Sequence, residues 1–160
     1  MSDRIVSELE SAFALDVNVK AFKGKGDFRE LMGKQAEIVT EVHAEMTALE
    51  DEVRKFELPM LLILTIDDKT SPYVKRARLR WRLRGQGSHA SYDEIVKPLF
   101  SQVPATLHAY LDRCNERAQE LNALEAVFRY AACQIGSYLK HGSVKISNRS
   151  QLDAKMPQAA

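Results

Sequence analysis

Arginine stands at every second position from Arg76 to Arg84, and the residues between are Ala77, Leu79, Trp81 and Leu83. A period of two is the side-chain period of a β-strand, where successive residues point to opposite faces. One face then carries Arg76, Arg78, Arg80, Arg82 and Arg84, and the other an apolar row suited to a packed core. A helix would scatter the same five guanidiniums around its circumference. The segment is therefore predicted as a strand with one buried face and one intensely basic face.

The strand has a natural partner upstream. Pro59 ends a helical pattern, Met60 to Ile66 is a short run rich in Leu and Ile, and Asp67 to Pro72 is turn chemistry. An antiparallel β-hairpin follows. Its first strand is apolar on both faces, so Leu or Ile must lie beside the arginines, covered either by arginine stems or by a partner.

The flanking sequence reads as helix. Ile5, Leu9 and Phe13 predict a short amphipathic helix from about Asp3 to Leu15. Asp27 and Glu30 have the spacing of a capping box, opening a helix to about Phe56 whose apolar positions include Phe28, Leu31, Ile38, Val42, Met46, Leu49 and Val53. Gly85-Gln86-Gly87-Ser88-His89 is expected to be a flexible link. Ser91 and Glu94 form a second capping box, for a short helix to about Phe100. From Pro104 to about Lys140 a helix of ~55 Å is predicted. Leu107, Cys114, Leu121, Phe128 and Ile135 recur every seven residues along it. Leu111, Ala118, Ala132 and Leu139 form a companion seam that Glu125 interrupts. The seam can pack on the Asp27 helix or join two copies into a homodimer. Gly142 is placed to end the helix, and 142–160 is expected to be a flexible polar tail. The expected fold is thus α+β and mostly helical: residues 1–141 form one domain, with two long helices packed on one hairpin.

Charge is distributed unevenly. The chain has 23 Lys+Arg and 22 Asp+Glu, for a net +1. Lys69 to Arg84 contains seven basic residues and no acidic one, so the rest holds 16 against 22, or −6. A mildly acidic body with one basic stripe points to an anionic partner. The alternative is that the arginines serve solubility, or pair internally with Glu50-Asp51-Glu52, Glu41 or Glu45.

Catalytic patterns are not evident. Glu41, His43 and Glu45 do not share a helix face, and His43 is expected at the helix surface. His89, His108 and His141 lack metal-ligand spacing. Cys114 and Cys133 would sit ~28 Å apart on one helix, too far to bond, and are expected to be reduced. No enzyme activity, cofactor or metal is anticipated. The apolar stretch around Leu61 is far shorter than the ~20 residues a membrane span needs. No secretory signal is apparent at the N-terminus, so a cytoplasmic location is expected. Phe22-Lys23-Gly24-Lys25-Gly26 before a helix start either cradles a phosphate or makes a tight turn.

Phe22-Lys23-Gly24-Lys25-Gly26-Asp27 before a helix, Leu58-Pro59 before an apolar strand, and Leu79-Arg80-Trp81-Arg82 in the returning strand resemble a family of small proteins of unknown function. That family is encoded on integrative and conjugative elements of proteobacteria, near genes for a single-stranded DNA-binding protein and a topoisomerase. The likeness spans about residues 20 to 85. This chain departs from the family in having more arginines in the second strand and a longer hairpin loop. The resemblance implies a mobile-element setting and a DNA-processing neighbourhood, and carries over no functional residues. The expected function is non-enzymatic binding of a phosphate backbone, single-stranded DNA favoured, through Arg76, Arg78, Arg80, Arg82 and Arg84 with Lys75, Lys23 and Lys25. The alternative is an adaptor or inhibitor whose arginine face docks an acidic protein.

Overall fold

The computed structural model describes residues 24–69 and 71–141. The predicted N-terminal helix, Lys23 and the segment from 142 onward lie outside the described residues. Helix α1 (Lys25–Arg54) leads into β1 (Met60–Asp67), β2 (Arg76–Leu83) and β3 (His89–Ala90). The single-turn helix α2 (Tyr92–Ile95), two 3-10 turns (Lys97–Gln102 and Ala105–Leu107) and helix α3 (His108–His141) follow. The fold is α+β and mostly helical, as the sequence predicts.

The two long helices form one layer and the sheet the other. Phe28 meets Tyr138, His43 faces Glu125, and Tyr110 donates to Glu52, so α1 and α3 run antiparallel. From α1 the buried residues are Gln35, Val39, Val42, Met46, Leu49 and Val53, in the three-four spacing of one helix face. From α3 they are Leu111, Cys114, Ala118, Leu121, Glu125, Phe128, Ala132 and Gly136. Most of the seam predicted for α3 therefore packs within its own chain, while Leu107, Ile135 and Leu139 are half-buried.

The sheet has order β1-β2-β3, all antiparallel. Met60 and Leu62 from β1 and Ala77, Leu79 and Trp81 from β2 point into the core with Met46, Leu111 and Leu121. Each fully buried side chain of this size contributes about 1.5–3 kcal/mol of transfer free energy. Trp81 is held by two neighbours: its indole Nε1 donates to Asn115 Oδ1 at 3.1 Å, and its ring packs 5.4 Å from that of Tyr92. The hairpin loop docks on α3, with Tyr73 against Gly136 and the Cys133 thiol donating to Ser71 Oγ at 3.0 Å.

Several expectations need correcting. Helix α1 starts at Lys25 without a side-chain cap, and Asp27 lies in its first turn, where a carboxylate favours the helix dipole. The Ser91–Glu94 capping box is present, but the helix it opens lasts one turn before the chain tightens into 3-10 geometry. The presumed link 85–89 ends in strand: His89 and Ala90 pair with Arg82 and Trp81 after a turn at Gly85, whose φ is +83°. His43 is no surface residue; its side chain is 21% exposed and faces α3. His108 is tied into the fold. Its ring stacks on Phe100, and Nε2 lies 2.9 Å from Phe100 O and 3.1 Å from Val103 O, so that nitrogen carries the proton and donates to both carbonyls.

Candidate functional site

The register places the arginines and fixes their neighbours. Arg82 lies opposite Leu61, Arg80 opposite Ile63, Arg78 opposite Thr65 and Arg76 opposite Asp67. These pairs share the outer face, away from both long helices. Arg78, Arg80 and Arg84 are exposed, and Arg76 and Arg82 half-buried. Leu61 and Ile63 are half-buried beside them, as expected if arginine stems shelter part of the apolar surface. From Arg76 to Arg84 the comb spans ~27 Å, with ~7 Å between successive arginines. That spacing is close to the separation of consecutive phosphates along one extended nucleic-acid strand.

Among the described residues, no carboxylate lies within ion-pair distance of Arg76, Arg78, Arg80, Arg82 or Arg84. Four of the five acids expected as possible partners are engaged elsewhere. Glu50 and Asp51 bind Arg54, Glu52 accepts from Tyr110, and Glu45 faces Arg117. Arg84 is tethered, its Nε donating to Leu58 O at 3.1 Å. At the β3 end, Arg82 Nε and the Nδ1 of its cross-strand neighbour His89 are both buried without a hydrogen-bond partner. Such orphaned groups are uncommon and costly.

At the hairpin-tip end a groove of about 540 Å³ is lined by Thr65, Asp67, Asp68, Arg76, Arg78 and Arg80. Its two carboxylates are already occupied: Asp67 accepts the Lys69 N–H, and Asp68 lies 3.0 Å from Lys75 Nζ. Lys75 is thus drawn to the tip instead of extending the comb. Lys25 begins α1, ~27 Å along the helix from His43, and His43 is level with Glu125 and Ala77. The structure therefore sets Lys25 apart from the arginine row. Trp81 points inward, and no aromatic side chain of β1 or β2 faces outward.

The open edge of β2 is closed by helix side chains that pattern reading did not anticipate. Beyond β3, the outward backbone groups of β2 meet α3. Asn122 accepts the Leu79 N–H at 2.8 Å and returns a hydrogen bond to Leu79 O at 3.0 Å. Glu125 Oε1 accepts the Ala77 N–H at 2.9 Å. Asn115 binds Trp81 one step further on. Ten helical residues rise ~15 Å and four strand residues ~13 Å, so the helix tracks the strand edge closely. Glu125 is 2% exposed. Burial pushes its carboxyl up, but His43 Nε2 at 3.7 Å, the Ala77 N–H and Arg129 Nε at 3.0 Å outweigh this and hold it below its ordinary value. The apparent flaw in the seam is the strand's acceptor. The polar recurrence at 115, 122 and 125 beside an apolar seam was the available signal.

No helix among the described residues is long and apolar enough to cross a membrane. No group of three or more His, Cys, Asp or Glu side chains among them is placed to hold a metal ion. No protein-family model, curated protein or solved structure matches this chain.

Proposed function

We propose that this chain is a non-enzymatic nucleic-acid-binding protein that grips a phosphate backbone with Arg76, Arg78, Arg80, Arg82 and Arg84. The observation that carries this reading is the solvent-facing row of guanidiniums without a carboxylate within ion-pair distance among the described residues. Arginine offers two parallel hydrogen bonds to a phosphate. A single strand fits better than a duplex. The face is a strand surface with both long helices behind it, so no recognition helix is presented to a groove. With no outward aromatic on β1 or β2, the contact is directed at the backbone, with Leu61 and Ile63 as a small apolar floor. Binding is then weakly sequence-specific and falls steeply with salt. A role in DNA processing during transfer or maintenance of a mobile element is part of this proposal and rests on the short sequence resemblance alone.

The test is fluorescence anisotropy with labelled single- and double-stranded oligonucleotides of graded length, with polyglutamate as competitor. Affinity that grows with oligonucleotide length and exceeds that for polyglutamate supports the reading. Absence of nucleic-acid binding at low salt overturns it, and tight saturable binding of an acidic polypeptide would then favour a protein-docking role.

A further inference from the structure

The two edges of the sheet are treated differently. One is closed by β3, Asn122 and Glu125. The other is the outer edge of β1. Arg84 N donates to Pro59 O at 2.8 Å, which fixes the alternation: residues 61, 63, 65 and 67 bond to β2, and Met60, Leu62, Leu64 and Ile66 turn their backbone groups outward. No hydrogen bond to those outward groups is present among the described residues. Exposed edges are usually guarded by lysine, proline or a bulge. Met60 to Asp67 carries neither lysine nor proline and pairs with β2 without a bulge. Ile66 is 53% exposed at the end of this edge.

We propose that β1 pairs antiparallel with β1 of a second copy of this chain, making one continuous six-stranded sheet. The strand complements itself in this arrangement. About a two-fold axis at Leu64, Leu62 lies opposite the second copy's Ile66 and Leu64 opposite its own counterpart. Three of the four outward positions, Leu62, Leu64 and Ile66, then exchange about six hydrogen bonds between the copies. An axis normal to the sheet keeps both arginine faces on the same side. The two combs stand three strand spacings apart, ~14 Å, with Leu61, Ile63 and Thr65 of both copies between them. That separation exceeds the Debye length of about 8 Å at physiological ionic strength, so repulsion between the combs is largely screened. The apolar floor, which in one copy borders a single comb, becomes the centre of a two-sided basic surface. The pairing itself does not depend on nucleic-acid binding and is tested without nucleic acid.

Sedimentation velocity over a concentration series should show a species of about 36 kDa, twice the chain mass of 18.1 kDa. Amide hydrogen exchange over the same series should show Leu62, Leu64 and Ile66 N–H groups becoming protected as the dimer forms. Ile63 and Thr65 amides are protected throughout. Ile66→Lys places a charge on the edge and should weaken the dimer at least about tenfold, with an unchanged circular dichroism spectrum. A monomer at about 100 µM, or a dimer whose Leu62, Leu64 and Ile66 amides still exchange freely, overturns the proposal. So does a folded Ile66→Lys variant that dimerises as tightly as the parent. The exchange measurement needs no variant, so a misfolded substitution cannot leave the question open.

Discussion

Replacing Glu125 tests whether the buried carboxylate is the acceptor that secures β2. Its Oε1 takes the Ala77 N–H at 2.9 Å and Arg129 Nε at 3.0 Å in a site 2% exposed. Glu125→Ala strands the Ala77 N–H, which costs about 1–3 kcal/mol. It also removes one member of a buried charge pair, a change of about 3–5 kcal/mol when the other charge cannot escape. Arg129 is 21% exposed and can turn towards water, so the expected total is at the lower end, about 3 kcal/mol. Glu125→Gln keeps an acceptor of the same reach and should cost about 1 kcal/mol. At roughly 2–4 °C per kcal/mol, thermal melts should fall by about 6–12 °C for alanine and about 2–4 °C for glutamine. An alanine variant within 1 °C of the parent, or a glutamine variant as damaged as the alanine one, would refute the assignment. The pH dependence gives a second check. The folded carboxyl is held below its unfolded value, so its ionised form favours folding. That contribution is complete above an unfolded pKa of about 4.3 and fades as pH drops through the lower folded value. The stability gap between parent and Glu125→Gln should therefore narrow on acidification; a gap that widened would contradict the account.

Asn122→Ala removes both side-chain hydrogen bonds to Leu79 and uncovers the β2 edge; urea unfolding should register a loss of about 1–3 kcal/mol, with more turbidity on heating. In Gly136→Ala the new Cβ would lie 2.8 Å from the Tyr73 ring, costing about 1–3 kcal/mol. In a Tyr73→Ala background the same change should become neutral or stabilising by up to about 1 kcal/mol through helix propensity, which a double-mutant cycle will show.

Patterns with a single cause were legible in the sequence. The period-two arginines dictated a strand, and the three-four spacing of Val42, Met46, Leu49 and Val53 dictated the inward face of α1. The inward face of β2 followed, because an arginine comb cannot turn inward; the register of β1, apolar on both faces, did not. What escaped was decided by tertiary contact. Two-residue β3 is too short to show a period, and it forms only because Trp81 and Arg82 offer a free edge to His89 and Ala90. Glu125 looked like an interruption because heptad reasoning sees neighbouring helices and not a strand crossing beside them. His43 has a polar side chain on a sequence face that appeared exposed, and its position was set by the approach of α3. For the candidate site, the row of arginines was legible, but the lack of an ion-paired carboxylate among the described residues was not. That depended on where Glu50, Asp51 and Glu52 found partners. Lys25 was grouped with the comb through the lysine- and glycine-rich stretch before a helix start, and the length of α1 sets it apart from the row.

The most direct test of the central claim is the salt dependence of single-stranded DNA affinity for the parent and for Arg78→Ala/Arg80→Ala/Arg82→Ala. Arg78 and Arg80 are exposed, so each of those substitutions should change stability by no more than about 0.5 kcal/mol; Arg82 is half-buried, and a thermal melt of the variant checks that it stays folded. If four or five guanidiniums each neutralise a phosphate, log affinity should fall against log salt with a slope of about −2.8 to −3.5, and of about −0.7 to −1.4 in the variant. Equal slopes in a folded variant, or no measurable affinity for the parent at low salt, would contradict the assignment of nucleic-acid binding to the arginine face.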